Sequence, residues 1–282
     1  MAAAPVVRSP ADAARGVGVR LDEVGIRFGA FDAVQGISLD IADGEFLCLL
    51  GPSGCGKSTL LSALAGFHVP AEGSVTVDGV PVEGPGPDRG MVFQGTEALF
   101  DWLTVAQNVT FGPRMRGVPK AERDRIADEY LKLVGLGHCH DRFPGQLSGG
   151  MRQRVQIARV LANRPRLILM DEPFGALDSQ TREVLQRETD RIWRTSGCTV
   201  VFVTHDIGEA ILLADRVAVM TAGPAASIKA VYTVELDRPR DPTSPEALDL
   251  AARLRADIRE EVRKTLRDQG LDEVSDENGS LP

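Results

Sequence analysis

The sequence predicts an α/β fold with a helical insertion, and three observations support this prediction. A glycine-rich loop, "GPSGCGKS" at 51–58, joins the apolar run "EFLCLL" to the helical run "TLLSALAGF". Two more apolar runs, "RLILMDE" and "CTVVFVTHD", end in polar residues, as buried parallel strands do when a site lies at their carboxyl ends. Residues 96 to about 150, which lie between the glycine-rich loop and these two runs, have helical character.

The segments before the insertion favour strands. From residue 17 to 50, the runs "VRLDEVGIRF" and "GISLDIADGEFLCLL" contain β-branched residues and are punctuated by glycines, as strands are. "GSVTVDGVPV" predicts a hairpin that turns at Asp78–Gly79, and "RGMVFQ" predicts a strand that ends at Gln94. In the insertion, helical spacing predicts an apolar helix face made of Ile126, Tyr130, Leu133 and Val134.

The C-terminal part predicts one strand and one amphipathic helix. "IKAVYTVEL" is strand-like, and the proline-rich link "DRPRDPTSPE" separates it from the helix. Glu260 and Lys264 are predicted to pair on the helix surface. The predicted apolar stripe of this helix consists of Ala251, Leu254, Ile258, Val262 and Leu266.

Composition limits the function classes. The 282 residues include 32 Lys and Arg against 40 Asp and Glu, a net charge of −8, which argues against a general nucleic-acid binder. The four cysteines form no disulfide framework, so we expect a reducing compartment. No stretch approaches the roughly 20 apolar residues of a membrane helix, so we expect a soluble, cytoplasmic chain.

The glycine-rich loop fits the pattern of a phosphate-binding P-loop, in the strand–loop–helix context that this motif requires. Gly51, Gly54 and Gly56 allow backbone N–H groups to converge on phosphate oxygens, and the helix dipole adds to the attraction. Lys57 is expected to reach the β- and γ-phosphates, and the Ser58 hydroxyl to bind Mg²⁺. The alternative is a glycine-rich turn with an incidental lysine, which leaves the spacing unexplained.

Three polar side chains at predicted strand ends are candidate catalytic groups. Asp171 can hold Mg²⁺ through water, and Glu172, one residue further on, can orient the attacking water. His205 ends the second apolar run and can touch a γ-phosphate there. On their own, two carboxylates could be a solvated strand end and a lone histidine could be structural, but the P-loop favours the functional interpretation.

A second candidate anion site lies far from the loop, in "QLSGGMRQR" at 146–154. Ser148 is a typical helix N-cap, and the two glycines behind it leave backbone N–H groups bare at a helix N-terminus. A plain capped helix would explain Ser148, but it would not explain the two helix-weakening glycines.

Together these motifs resemble the ATP-binding cassette (ABC) ATPases. "GPSGCGKS", "VFQ", "LSGGM", "LILMDEP", "GALD" and "THD" occur in the order found in that family, over roughly residues 17–235. The resemblance implies an α/β P-loop NTPase (ABC ATPase) core with an N-terminal antiparallel β subdomain, a helical subdomain insertion and a short C-terminal helical extension. It also implies a head-to-tail homodimer in which each P-loop faces the "LSGGM" helix of the other subunit, with ATP and Mg²⁺ as cofactors.

The resemblance also carries over site residues. Glu172, His205 and Gln94 would be catalytic, and Ser58, Gln94 and Asp171 would hold Mg²⁺. Phe28 matches the aromatic that stacks on adenine, although on sequence alone a core role is equally compatible. The remaining nucleotide-binding positions would be Gly51, Pro52, Ser53, Gly54, Cys55, Gly56, Lys57, Ser58, Thr59, Ser148, Gly149, Gly150 and Asp178. Because Cys55 lies inside the loop, alkylating it is expected to block ATP.

The form "LSGGMRQR" with "DEPFGALD" is similar to importer ATPases of the nitrate, sulfonate and taurine group, and so is "EALFDWLTVAQNVTFG" at 97–112. Met151 replaces the common glutamine of the signature, and Asp101 stands where the group often has proline. Phe100 and Trp102 are candidates for contact with a permease, or for packing within the insertion.

The predicted organisation has four parts: a disordered N-terminal tail at 1–16, the ABC ATPase domain at 17–235 with its helical subdomain at about 96–155, a linker and amphipathic helix at 236–270, and an acidic disordered tail at 271–282. The expected partners are integral-membrane permease subunits and, indirectly, a solute-binding protein, with no nucleic acid. The chain would then lie peripherally on the inner face of the cell membrane. Alternatives are a soluble ABC ATPase acting on nucleic acid or ribosomes, and an ABC ATPase for a vitamin precursor or lipid. A non-ABC P-loop kinase would leave "LSGGM" unexplained.

Overall fold

The computed structural model describes residues 17–95, 98–175 and 177–268. The strands within these ranges are β1 (Val19–Phe28), β2 (Phe31–Ile41), β3 (Phe46–Leu50), β4 (Glu72–Val77), β5 (Val80–Pro81), β6 (Arg89–Val92), β7 (Leu167–Asp171), β8 (Thr199–Thr204), β9 (Arg216–Met220) and β10 (Ile228–Thr233). The helices are α1 (Lys57–Ala65), α2 (Val105–Val109), α3 (Phe111–Met115), α4 (Lys120–Leu133), α5 (Gly149–Leu161), α6 (Ser179–Ser196), α7 (Ile207–Leu213) and α8 (Pro245–Asp268).

The chain divides into two compact units. The first unit consists of Gly86–Val200 with the short segments Met1–Gly18 and Ala42–Glu45. The second unit consists of Val19–Ile41, Phe46–Pro85 and Val201–Pro282. The division passes through β8, whose first two residues belong to the first unit and whose other four belong to the second.

An antiparallel sheet in the second unit has the strand order β2-β1-β4-β5. The pairing of β1 with β2 shifts register between Leu21 and Val24, next to Glu23 with its φ of 49°. This irregularity explains why the alternation of the β1 sequence is imperfect. The predicted hairpin is confirmed: Val77 pairs with Val80, and Asp78 and Gly79 have φ angles of 51° and 74°, the signs that a type I′ turn requires.

A second group of strands in this unit carries the phosphate loop. β3 is buried along its whole length and runs parallel to β9, which pairs antiparallel with β10. Buried Val, Leu and Met side chains fill β3 and β9, as expected where both faces of a sheet are covered, whereas the residues of β10 are half-buried or exposed. The loop 51–56 leaves the carboxyl end of β3 and enters α1 directly.

The first unit combines the parallel pair β6–β7 with helices α2 to α6. β7 is entirely buried, which confirms the strand predicted from "RLILMDE". The turn before α2 is held by the buried side chain of Asn108, whose Nδ2 donates to the carbonyls of Phe100, Leu103 and Thr104. α2 begins at Thr104 with a capping box formed with Gln107.

Three element-level expectations need correction. β6 ends at Val92, two residues before Gln94. The buried face of α4 consists of Ala127 and Leu131 and continues at Val134, whereas Ile126, Tyr130 and Leu133 lie half-exposed beside it. Spacings of four and three residues place the small Ala127 in line with Leu131, so the stripe is shifted by one position from the bulkier residues.

The third correction concerns α8. Ala251 and Leu254 are buried as expected, and Glu260 pairs with Lys264 at 3.0 Å, but Val262 is 36% exposed while its neighbour Glu261 is buried. The predicted tails at 1–16 and 271–282 lie outside the described residues. No helix within the described ranges combines the length and the apolar character needed to cross a bilayer.

Candidate functional site

The phosphate loop is built as the sequence predicts, with glycines where the backbone requires them. Gly54 and Gly56 have φ angles of 79° and 84°, which non-glycine residues rarely adopt. A Cβ on Gly56 would lie 2.5 Å from Val34 Cγ1, so no side chain fits there. A Cβ on Gly51 would lie 2.9 Å from Cys55 Sγ. The loop therefore packs tightly on β2 and on itself.

The helix that follows the loop is open to an anion at its N-terminus. Gly56 caps α1 without a side-chain hydrogen bond, and the first turn contains no acidic residue. The buried Lys57 donates from Nζ to the carbonyls of Gly51 at 2.7 Å and Pro52 at 2.8 Å. A helix start without a side-chain cap, a positive helix end and a lysine at the loop together fit a phosphate group. Ser58 is exposed on the same first turn.

Cys55 lies inside the loop, but its thiol is not available to solvent. The residue is buried, and its burial raises the pKa of the thiol although the nearby Lys57 lowers it. A buried neutral thiol is a poor nucleophile. An alkylating reagent therefore reaches the Cys55 sulfur poorly in the folded chain. The prediction that alkylation blocks ATP binding applies only to protein in which the sulfur has reacted.

Phe28 ends β1 on the surface of the second unit. Phe28 is 45% exposed, whereas Ile26, two positions earlier, is buried. The ring meets His68 edge to face, with centroids 5.2 Å apart. The exposure excludes the core alternative, and the prediction that Phe28 stacks on adenine remains open.

His205 follows β8 directly and is exposed. The turn beyond it is rigidly hydrogen-bonded. Thr204 Oγ1 donates to Glu209 Oε2 at 2.6 Å, and Asp206 caps α7 by accepting from the Glu209 N–H at 3.0 Å. This turn fixes the backbone on both sides of the histidine at the carboxyl end of the strand.

In the first unit, the structure brings Glu172 and Gln94 together. Asp171 is buried as the last residue of β7, and Glu172 follows with a φ of 43°, a strained value for a residue with a side chain. Gln94 Nε2 donates to Glu172 Oε2 at 3.2 Å. Backbone strain at a carboxylate that a neighbouring amide orients is typical of a functional position.

Two buried glutamines of α5 bond the backbone at or next to this pair, and sequence reasoning missed both. Gln153 Nε2 donates to the Glu172 carbonyl at 3.4 Å, and Gln156 Nε2 donates to the Gly95 carbonyl at 2.6 Å. Their spacing of three residues within an apolar helix face was the available signal. These contacts connect α5 to the backbone of Glu172 and to that of Gly95, the residue after Gln94.

The N-terminus of α5 has the predicted cap. Ser148 Oγ accepts from the Met151 N–H at 3.3 Å, and Gly149 and Gly150 form the first turn without an acidic residue. Asp178 caps α6 in the same manner, by accepting from the Thr181 N–H at 2.9 Å. This hydrogen bond lowers the pKa of the Asp178 carboxyl.

The predicted site residues are divided between the two units. The second unit holds the phosphate loop 51–58, Thr59, Phe28 and His205, and the first unit holds Gln94, Asp171, Glu172, the α5 N-terminus and Asp178.

The first unit also has an apolar cavity of about 390 Å³ beside α3. Its walls include Met91, Phe100, Phe111, Met115 and Arg159. The guanidinium of Arg159 lies 5.3 Å from the centre of the Phe100 ring. Trp102, next to the cavity, is 74% exposed and contacts Phe100 with ring centroids 5.2 Å apart. An exposed tryptophan beside an apolar cavity is typical of a surface that binds a partner.

A phosphate loop between a buried strand and a helix, with an acidic pair ending a second buried strand, defines a P-loop nucleotide-binding protein. The family model described as ABC transporter matches residues 34–175, and the chain belongs to this family. An uncharacterised ABC transporter ATP-binding protein of Methanocaldococcus jannaschii is 51% identical over 235 residues, which cover 83% of this chain and 87% of the relative.

Two further relatives are named for bicarbonate transport. The ATP-binding protein CmpD of Synechocystis sp. is 48% identical over 215 residues, 76% of each chain. The protein CmpC of Synechococcus elongatus is 50% identical over 210 residues, 74% of this chain, but the match spans only 32% of that longer protein.

A solved structure agrees with the fold. A dimeric, post-hydrolysis ATP-binding cassette bound to ADP and phosphate is 33% identical, with a TM-score of 0.68 over 77% of this chain and 99% of that one. The chain is therefore an ABC-type ATPase, the ATP-binding subunit of a transporter, as the sequence motifs predicted.

Proposed function

We propose that this chain hydrolyses ATP to power an ABC importer of small oxyanion-type solutes, the class that includes nitrate, sulfonates, taurine and bicarbonate. The observation that carries the proposal is the phosphate loop, with Lys57 at an uncapped helix start. The cargo class is supported by the "LSGGMRQR" and "DEPFGALD" motifs and by the two relatives named for bicarbonate transport.

The candidate site residues have distinct roles in the hydrolysis of ATP to ADP and phosphate. Lys57 and the first N–H groups of α1 bind phosphate oxygens. Glu172 orients the attacking water and accepts its proton, with its carboxylate held by Gln94. His205 contacts the γ-phosphate, and Phe28 stacks on adenine through its exposed ring.

Ser58, Gln94 and Asp171 are the residues that would hold Mg²⁺. A hydroxyl, an amide oxygen and a carboxylate are the oxygen ligands that this cation prefers, and Gln94 keeps its Oε1 for that purpose while Nε2 bonds Glu172. When bound, Mg²⁺ neutralises charge that develops on the phosphate oxygens.

The working assembly is a head-to-tail homodimer in which ATP lies between the P-loop of one subunit and the α5 N-terminus of the other. The absence of acidic side chains in the first turn of α5 supports this role for Ser148, Gly149 and Gly150, because an acidic residue there would repel the γ-phosphate. Asp178 would contact the opposite subunit. The dimeric cassette bound to ADP and phosphate is a precedent for a dimer that holds nucleotide.

The permease contact is proposed at the cavity beside α3 and at Trp102. Aromatic anchors in or beside an apolar pocket contribute strongly to protein interfaces, and Arg159 in the wall of the cavity can bond a backbone carbonyl of an inserted helix. The chain would then sit on the inner face of the cell membrane, and a solute-binding protein would deliver cargo to the permease.

The test is solute uptake by cells in which the chromosomal copy is replaced by the wild-type or the Glu172→Gln chain. Uptake of radiolabelled bicarbonate, nitrate, sulfonates and taurine is measured in parallel. The proposal expects that uptake of one of these solutes is lost with Glu172→Gln while the protein level is unchanged. Equal uptake of all of them in both strains would contradict the cargo class.

A further inference from the structure

The C-terminal helix α8 lies beyond the region 34–175 matched by the family model, and it carries a buried carboxylate. Glu261 is 1% exposed, whereas the predicted apolar stripe placed its neighbour Val262, not Glu261, on the buried face of the helix. Burial of a carboxylate is costly unless it is paired and hydrogen-bonded. The contacts of Glu261 therefore indicate what its burial achieves.

Two lysines and one backbone amide hold the Glu261 carboxylate. Oε1 lies 3.0 Å from Lys229 Nζ and 2.7 Å from Lys264 Nζ, and Oε2 accepts from the Ala222 N–H at 3.0 Å. Burial raises the pKa of Glu261, but the hydrogen bonds from Lys264, Ala222 and Lys229 outweigh it and lower the pKa to about 2. The group is therefore ionised at neutral pH.

α8 is fixed along β10 by further polar contacts. Lys229 Nζ also lies 2.7 Å from Glu260 and 3.4 Å from Asp257, and Tyr232 donates its hydroxyl hydrogen to Asp257 Oδ2 at 2.6 Å. Glu260 thus shares Lys229 and Lys264 with Glu261. Glu261 differs from Glu260 in that it also accepts a hydrogen bond from the backbone N–H of Ala222.

Ala222 belongs to the turn 221–227 between β9 and β10, and this turn packs on the phosphate loop. A Cβ on Gly223 would lie 3.1 Å from the Gly54 carbonyl oxygen and 3.8 Å from Cys55 Cα. The close approach means that a shift of the turn moves the backbone at Gly54.

The same turn is tied to β2, which forms the other wall of the loop. The Ala225 N–H donates to the Asp32 carbonyl at 2.7 Å, and the Gln35 N–H donates to the Ala226 carbonyl at 3.0 Å. Val34, between these β2 residues, is the side chain that limits Gly56. The turn 221–227 therefore contacts the phosphate loop, β2 and α8.

We infer that Glu261 is a positioning residue for the phosphate loop: through the Ala222 N–H it holds the turn 221–227 against Gly54, so that α8 contributes to ATP affinity. The inference rests on the proposed binding of ATP at 51–58. A loop whose N–H groups already converge binds phosphate without paying the entropy of ordering. Loss of one charge-assisted hydrogen bond to the turn is expected to weaken nucleotide binding by about three- to tenfold.

The test is calorimetric titration of the full chain with AMP-PNP and Mg²⁺. Glu261→Ala is compared with Glu260→Ala, a matched control on the same helix that bonds the same lysines. The inference expects a three- to tenfold higher Kd for Glu261→Ala and a change of less than twofold for Glu260→Ala. Glu261→Gln keeps an acceptor for the Ala222 N–H and is expected to recover part of the affinity.

The titration separates positioning from general destabilisation, because unfolded protein lowers the binding stoichiometry and leaves the Kd of the folded fraction unchanged. Hydrogen exchange gives a second readout: amides at 51–58 and 221–227 should exchange faster in Glu261→Ala than in Glu260→Ala. If Glu261→Ala does not fold, Glu261→Gln and Gly223→Ala replace it. Gly223→Ala perturbs the turn without touching α8 and is expected to raise the Kd similarly.

Equal Kd values for Glu261→Ala and Glu260→Ala, or unchanged values for both Glu261→Gln and Gly223→Ala, would overturn the inference. Lys57→Ala distinguishes this from failure of the proposed function. If Lys57→Ala abolishes binding while the Glu261 variants bind normally, only the positioning role fails. If Lys57→Ala binds AMP-PNP like the wild type, the proposed nucleotide site itself is wrong.

Discussion

The contact between Gln94 and Glu172 allows a quantitative prediction about turnover. Glu172→Gln keeps the shape of the side chain but cannot accept a proton, so loss of the general base should slow ATP hydrolysis by about 10²- to 10⁴-fold. Gln94→Ala removes the hydrogen bond to Glu172 Oε2. A hydrogen bond to a charged group contributes about 1.5–3 kcal/mol, and a length of 3.2 Å at an exposed side chain places this one at the lower end. The expected loss for Gln94→Ala is therefore about tenfold.

A double-mutant cycle tests the reasoning. If Gln94 acts by orienting Glu172, most of the tenfold effect of Gln94→Ala should disappear in the Glu172→Gln background, which corresponds to a coupling energy of about 1.4 kcal/mol. The assay is phosphate release at saturating ATP and Mg²⁺, with ATP binding measured separately to show that the variants still bind. Full additivity of the two substitutions would refute the orienting role, and full turnover of Glu172→Gln would remove Glu172 from the mechanism.

Three further predictions follow from local geometry. Gly56→Ala should abolish ATP binding, because its Cβ would meet Val34 at 2.5 Å in a backbone conformation with φ of 84°; Gly145→Ala, with open space around its Cβ, should bind normally in the same titration. Glu261 has a pKa of about 2 in the folded chain against its usual 4.5, so its ionised form stabilises the fold above pH 4.5 and this contribution is lost as the pH falls towards 2. The difference between wild type and Glu261→Gln in urea unfolding should shrink over that range, and a constant difference would disprove the linkage. Cys55 should react with N-ethylmaleimide much more slowly in the folded chain than in urea, since its thiol is buried with a raised pKa; equal rates would contradict that burial.

The sequence was sufficient to predict those features whose function or burial depends on residues close together in the chain. The phosphate loop, the apolar strand before Asp171 and the hairpin at Asp78–Gly79 all depend on residues close to one another in the chain. The cap at Ser148 is equally local, because its partner Met151 lies three residues away. Each of these features could be predicted with its physical reason.

Features that depend on distant partners could not be predicted. Glu261 is buried because Lys229 and Ala222, 32 and 39 residues earlier in the chain, contact its carboxylate. No pattern within the α8 sequence predicts these partners. The exposure of Phe28 could not be predicted either. Its alternation with Ile26 was as compatible with a core position as with an exposed one. The glutamines of α5 were missed because their partners, the carbonyls of Gly95 and Glu172, carry no sequence signal.

As the ATP-binding subunit of a transporter, the chain is expected to bind a membrane permease, and co-purification measures this association. The tagged chain is isolated from detergent-solubilised native membranes, and mass spectrometry identifies what accompanies it. We expect a multi-span permease in stoichiometric amount, and its loss when Trp102 and Phe100 are replaced by alanine. Recovery of the wild-type chain without any membrane protein, bound to nucleic acid or ribosomes, would contradict it.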